Sequence, residues 1–98
     1  MGLHKTHRVN QGMHIPEEDI DIIIRGIYGS RKDLTAVLEI RTRDDSIRPR
    51  LSHDDPPPLI MPGFAIDLND EQHSASSVHI RYNANRGFSL EAKDYEPL

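Results

Sequence analysis

The chain has 98 residues, a formal net charge of −4, no cysteine, and 36% hydrophobic and 29% charged residues. This length supports one domain with a single modest core. The lack of cysteine excludes a disulfide framework, a thiolate nucleophile and any cysteine-based metal site. A nucleic-acid-binding domain is usually basic, so direct nucleic-acid binding is not expected.

The first fourteen residues contain three histidines and little apolar content, and we predict a flexible arm over residues 1–14. They lack the apolar core of a signal peptide, and no apolar run in the chain approaches the ~20 residues that span a bilayer. Small secreted domains usually rely on disulfides. We therefore expect a cytoplasmic protein without membrane association, with one compact domain over residues 15–94 and a tail over residues 95–98.

The segment that follows the arm has the apolar spacing of an amphipathic helix, i, i+3, i+4, i+7 and i+8. Its apolar positions are Ile20, Ile23, Ile24, Ile27 and Tyr28. Pro16 suits the first helical position, and Gly29 suits a left-handed stop. The pattern predicts a helix over residues 16–28. The competing interpretation is a strand, because isoleucine favours β structure and Ile20, Ile22 and Ile24 alternate along the chain.

Four later segments alternate apolar and polar residues with a period of two, which is typical of strands with one buried face. The apolar positions are Leu34, Ala36, Leu38 and Ile40; Phe64, Ile66 and Leu68; Val78, Ile80 and Tyr82; and Phe88, Leu90 and Ala92. An antiparallel sheet of this kind needs one covering layer. We therefore predict an α+β fold, with the helix packed on a four-stranded, mainly antiparallel sheet. The alternative is a small all-β barrel or sandwich in which residues 19–28 form a further strand.

Between the first two of these strands, residues 44–63 contain five of the seven prolines and predict a long, irregular loop. Loops of this length in compact domains are often functional, so this proline-rich loop is a candidate binding surface. The sequence shows no Gly-x-Ser-x-Gly elbow, Walker loop or Gly-x-Gly-x-x-Gly motif. His53 is followed by two aspartates and three prolines, which we interpret as a polar turn. We expect no catalytic residue, no cofactor and no bound metal.

The leading functional hypothesis is a small non-enzymatic protein-binding module, such as an inhibitor, immunity protein or adaptor of a bacterium or its phage. Together with the proline-rich loop, its acidic patches would suit a basic partner protein. The predicted partner-binding residues are Glu17, Glu18, Asp19, Asp54, Asp55, Asp67 and Asp70.

A second hypothesis is a sensor of a small ligand or anion that uses the arginines of the solvated sheet face. The predicted ligand-binding residues are Arg41, Arg43, His79 and Arg81. This site requires that the strands carrying the arginines are neighbours. A third hypothesis, a histidine-dependent metal protein or enzyme, follows from the six histidines of the chain.

Overall fold

The computed structural model is an antiparallel β-sandwich, and it describes residues 2–29, 33–52, 54–56, 58–68, 77–84 and 87–98. Within these ranges it contains ten strands and no helix. The predicted α+β fold is therefore wrong, and the alternative, an all-β sandwich, is confirmed. No helix long and apolar enough to cross a membrane occurs in the described ranges.

The strands are numbered in chain order. They are β1 (Gly2–His7), β2 (Gln11–Ile15), β3 (Ile20–Tyr28), β4 (Thr35–Arg41), β5 (Ser46–Ile47), β6 (Arg50–Ser52), β7 (Leu59–Met61), β8 (Phe64–Leu68), β9 (Val78–Ala84) and β10 (Glu91–Asp94). One sheet has the order β1-β9-β8-β7, and the other has the order β10-β2-β3-β4-β5, with β6 also paired to β4. Every pairing between these strands is antiparallel.

β3 takes the place of the helix predicted over residues 16–28, and it is buried on both faces. Its core-facing positions begin with Ile20, Ile22 and Ile24. Ile23 is fully buried on the opposite face, and a bulge between Ile24 and Gly26 shifts the phase so that Ile27 packs against the core. A bulged strand with two buried faces spaces its apolar residues as an amphipathic helix does. This coincidence explains the wrong prediction.

The segment predicted as a flexible arm, residues 1–14, supplies two strands. β1 pairs with β9, and β2 lies between β3 and β10. Residues 8–10 carry the chain from one sheet to the other. Asn10 has a φ of +68° in this connection, a left-handed conformation that asparagine tolerates better than most residues.

The core lies between the two sheets. Its largest fully buried side chains are Tyr82, Phe64, Met13, Ile15, Ile22, Ile24, Leu34, Leu38, Leu51, Ile66 and Ile80. The alternation predicted for residues 34–40, 64–68 and 78–82 is confirmed by β4, β8 and β9. The strand predicted around Phe88 lies further along the chain, as β10, and Phe88 itself packs edge-on against Phe64 with ring centroids 5.5 Å apart.

The two remaining segments are also more ordered than the sequence indicated. The proline-rich loop, residues 44–63, contains the short strands β5, β6 and β7. In the segment predicted as a tail, residues 95–98, the N–H of Tyr95 donates to the carbonyl of Asn10 at 2.8 Å. The Tyr95 hydroxyl donates to Asp21 at 2.6 Å, so the chain continues from β10 across the outer face of the six-stranded sheet.

Candidate functional site

A cleft of about 420 Å³ lies between β1 and β10, the end strands of the two sheets on one side of the sandwich. Its lining residues come from β1, β2 and β10, and they are Lys5, Thr6, His7, Gln11, Gly12, Ala92, Lys93 and Asp94. Its volume falls in the range of about 300–1,000 Å³ that is typical of ligand sites. The cleft is therefore large enough to receive a side chain or a small molecule.

His7 is a buried residue of the cleft wall. Its side chain is hydrogen-bonded through Nε2 to the hydroxyl of Tyr82 at 2.7 Å, and the two rings meet edge to face with centroids 5.8 Å apart. Burial, and to a smaller extent the positive charge of Lys5, lowers the pKa of His7 from 6.5 to about 4. Burial also raises the pKa of Tyr82. The pair is uncharged at neutral pH.

The charge of the cleft therefore comes from its exposed rim. Lys5 and Lys93 stand on β1 and β10 respectively, and Asp94 follows Lys93. The Lys93 ammonium lies 5.9 Å from the centroid of the Tyr95 ring, a cation–π contact that restrains the side chain. Lys93 pairs with Gly12, and Gly12 pairs with Ile23, so Lys93 lies on the outer face of its sheet. The inward-facing charges of the rim are therefore the cation of Lys5, which pairs with Ile80, and the anion of Asp94, which pairs with Gln11.

A second polar cluster lies on the outer face of the six-stranded sheet, around Arg25 and Glu39. The Glu39 carboxylate accepts hydrogen bonds from Arg41 and Arg25, each at 2.8 Å. The bond from Arg41 is the main cause, ahead of the bond from Arg25, that lowers the pKa of Glu39 against the opposing effect of burial. Arg25 also donates through Nη1 to Asn10 and to the carbonyl of Glu96, both at 2.8 Å.

The Arg25 guanidinium is closed to a ligand in this structure. Its side chain is 2% exposed, and its Nη2 has no hydrogen-bond partner in the described part of the chain. Through Arg25, the cluster therefore holds the C-terminal segment on the sheet.

The acidic residues predicted to bind a partner occupy separate places. Glu17, Glu18 and Asp19 form the turn between β2 and β3. The Glu17 carboxylate accepts the N–H of Ser89 at 3.0 and 3.1 Å, and this contact lowers the pKa of Glu17. Asp19 lies 3.9 Å from Arg43. Two of the three carboxylates of this turn, Glu17 and Asp19, are thus already engaged by contacts within the chain.

Asp54 and Asp55 lie at the opposite end of the same sheet. Asp55 accepts a hydrogen bond from the hydroxyl of Ser52 at 2.9 Å. Ser52 pairs with the first residue of β4, whereas the β2–β3 turn lies near the last residue of β4. The seven residues of β4 separate the two acidic regions by roughly 20 Å. His53 and Asp70 lie outside the described residues.

The structure divides the predicted arginine site between the two sheets. Arg41 ends β4, and Arg43 follows it, whereas His79 and Arg81 belong to β9 of the other sheet. Arg81 donates two hydrogen bonds to Asp67, at 2.9 and 2.6 Å. The hydrophobic core separates the two arginine groups, so they do not form one anion site.

The histidines are dispersed as well. His14 lies 2.9 Å from Asp21. The Nδ1 of His79 is hydrogen-bonded to Thr6 at 2.8 Å, on the face of β1 opposite to His7. In the described ranges, no group of three or more histidine, aspartate or glutamate side chains is placed to hold a metal ion.

Sequence reasoning missed the cleft residues. Lys5 and His7 lie in the segment predicted as an arm, which has only Leu3 as an apolar residue between positions 3 and 7. Hydrophobic periodicity gives no signal in so polar a segment. Ala92 and Lys93 were placed at the end of a predicted strand, and nothing in the local pattern indicates that this strand lies beside β1.

Comparison of the chain with protein-family models, with curated proteins and with solved structures found no match.

Proposed function

We propose that the protein is a small non-enzymatic protein-binding module that takes an extended segment of its partner onto the edge of β1. The observation that carries this proposal is the length of that edge. β1 has six residues, whereas the other end strands have four (β10), three (β6 and β7) and two (β5). Unpaired strand edges are templates for another strand, and proteins commonly protect them by keeping them short.

The pairing of β1 supports the same role. β1 is in unbroken register with β9 over all six residues, and it stands at the end of the order of described strands. In an antiparallel sheet the N–H and C=O groups of an end strand point alternately to its neighbour and to its free side. A partner segment in the extended conformation would bond to these outward groups, which is the usual source of affinity in strand addition.

The acidic residues that the sequence predicted to bind a partner are not part of the proposed binding surface. Glu17, Asp55 and Asp67 are each engaged by hydrogen bonds within the chain, and the two acidic regions lie at opposite ends of a sheet. The partner is proposed from the edge of β1 alone. We place the interaction in the cytoplasm, which the absence of cysteine supports.

The test is a selection from a random peptide display library with the intact chain as bait, followed by NMR of the chain with a selected peptide. Cross-strand contacts between the peptide and the backbone of β1 are expected. Peptides that bind only elsewhere on the chain, or no selected peptide at all, would refute strand addition at β1.

Two adjacent proline variants supply the matched control, Leu3→Pro and His4→Pro. Successive N–H groups of a strand point to opposite sides, so one proline removes a bond to β9 and the other removes an outward donor. The variant that keeps the melting temperature of the parent should lose at least tenfold in peptide affinity. Equal binding by that variant would count against the proposal.

A further inference from the structure

The strand that pairs with β1 would be selected by Leu3, and this inference rests on the proposed function. We infer that the partner segment places an apolar side chain directly opposite Leu3, on the side that faces the sandwich interior. The partner is thus an extended segment of another protein with a large apolar residue at one fixed position. That residue sets the register in which the segment pairs with β1.

The first argument is the direction in which Leu3 points. Leu3 pairs across the sheet with Tyr82, and Tyr82 pairs with Ile66. Directly paired residues share one face of a sheet, and both Tyr82 and Ile66 belong to the hydrophobic core. Leu3 therefore continues an inward row of apolar side chains that crosses β8, β9 and β1.

The second argument is that this row is covered along β8 and β9 and exposed where it reaches β1. Ile66 is 0% exposed and Tyr82 is 1% exposed, whereas Leu3 is 38% exposed. An added strand would place one of its own inward side chains next in the row. An apolar side chain at that position would remove apolar surface of both residues from water, which favours association.

The other two inward positions of β1 offer no such surface. Lys5, which pairs with Ile80, is an exposed cation, and Asp94 brings a carboxylate to the same side of the cleft. His7, which pairs with Val78, is already buried. The inward side of the edge therefore selects for apolar character at the position of Leu3.

Leu3 also fixes the register of pairing. Register is weakly specified in strands that are polar on both faces, and β1 contains one apolar residue, Leu3. A shift of the partner by one residue turns its apolar side chain to the outer face. A shift by two residues moves that side chain opposite Lys5 or past Gly2. One alignment alone therefore buries both apolar side chains.

A second copy of the chain does not meet this requirement. Antiparallel self-pairing that sets Leu3 against Leu3 aligns only residues 2–4 of β1, because the strand begins at Gly2. The longer registers, centred on His4 and on Lys5, set Leu3 against Lys5 and against His7 respectively. The apolar residue opposite Leu3 is therefore supplied by a different protein.

Peptide display with substituted bait tests the inference. The parent chain should enrich peptides that share a large aliphatic or aromatic residue at one fixed position. Leu3→Lys should replace this preference by aspartate or glutamate at the same position. Ile47→Lys is the matched control and should select the same peptides as the parent. Ile47 is also a large exposed aliphatic residue, at 55%, but it lies on β5 at the far end of the other sheet.

The affinity of one selected peptide gives the second measurement. Replacement of its apolar residue by alanine should weaken binding to the parent chain at least about fivefold, and NMR should show contacts between that residue and the methyl groups of Leu3. Alanine at the next position of the peptide, which points to the outer face, should have a much smaller effect. These substitutions leave the chain itself unaltered, so a loss of binding would not reflect unfolding.

The outcomes separate the two proposals. Peptides that pair with β1 but share no apolar position, or that bind the parent and Leu3→Lys alike, would leave strand addition intact and overturn the role of Leu3. If no peptide pairs with β1, strand addition is wrong and this inference falls with it. Dimerisation of the chain through β1, seen by sedimentation, would assign the edge to a second copy and would also overturn the inference.

Discussion

Arg25 and Glu39 form an ion pair of 2.8 Å on the outer face of the six-stranded sheet, with side chains only 2% and 7% exposed. The outer face of a sandwich is normally solvated. Here the C-terminal segment crosses it, because the carbonyl of Glu96 accepts a hydrogen bond from Arg25 and Tyr95 donates to Asp21. The tertiary structure has thus converted a surface pair into a buried one.

Removal of one partner of this pair should be strongly destabilising. Glu39→Ala leaves the buried guanidinium without its counter-charge, and we expect a loss of about 3–5 kcal/mol in the free energy of unfolding. The double variant Arg25→Met with Glu39→Leu should recover most of this loss, since neither charge then remains buried. Urea denaturation of the three proteins measures both effects.

The exposed pair between Arg43 and Asp19 provides the comparison. These side chains are 80% and 57% exposed and lie 3.9 Å apart, so Arg43→Ala should change stability by less than about 0.5 kcal/mol. Similar losses for Glu39→Ala and Arg43→Ala would show that the Arg25–Glu39 pair is open to solvent.

His7 should make the stability of the fold depend on pH. Its pKa is lowered to about 4 in the folded chain, whereas the unfolded chain titrates near 6.5. Above about pH 6.5 both states are neutral and the contribution is fully present. As the pH falls from 6.5 to 4, only the unfolded state binds the proton, so stability declines by up to about 3 kcal/mol. Below pH 4 this contribution changes no further.

The difference between the parent and His7→Gln isolates this effect from the carboxylates, which titrate in both proteins. Unfolding free energies measured from pH 7.5 to 4 should converge towards low pH. His4→Gln, which alters an exposed histidine of the same strand, should follow the parent curve throughout. A constant difference between His7→Gln and the parent across this range would contradict the lowered pKa.

Gly12 should tolerate no side chain. A Cβ at this position would collide with the carbonyl oxygen of Ile22 and lie 2.9 Å from the Cα of Ile23. Both are backbone atoms of β3, so the two strands would have to separate. We expect Gly12→Ala to lower the free energy of unfolding by more than about 2 kcal/mol.

Gly87 is the matched control, because a Cβ there would meet no heavy atom within 4 Å. Gly87→Ala should be neutral or stabilising by up to about 1 kcal/mol, through the reduced freedom of the unfolded chain. Thermal melts of both variants make the comparison, and equal melting temperatures would show that β2 and β3 do not approach so closely at Gly12.

The sequence by itself determined the strands that are buried on one face. The alternation from Leu34 to Ile40, and again in β8 and β9, records the contrast between core and solvent at every second residue. The spacing of apolar residues also predicted a helix at β3, and this prediction was wrong. Ile23 is buried on the face opposite to the core, and a bulge after Ile24 returns Ile27 to the inner side. This one element decides what covers the sheet. With a strand at this position, no helix is left to cover a single sheet, and a second sheet covers it instead.

Only the tertiary structure decided the candidate site. β1 is a polar segment, and the partner that makes it a strand is β9, more than seventy residues away. Lys5 and Asp94 line one cleft because the end strands of two sheets stand on the same side of the sandwich. Likewise, Arg25 and Glu39 are buried by a C-terminal segment that no local pattern marks. Hydrophobic periodicity indicates which residues of a segment face the core. The contacts between polar residues of distant segments depend instead on strand order and register.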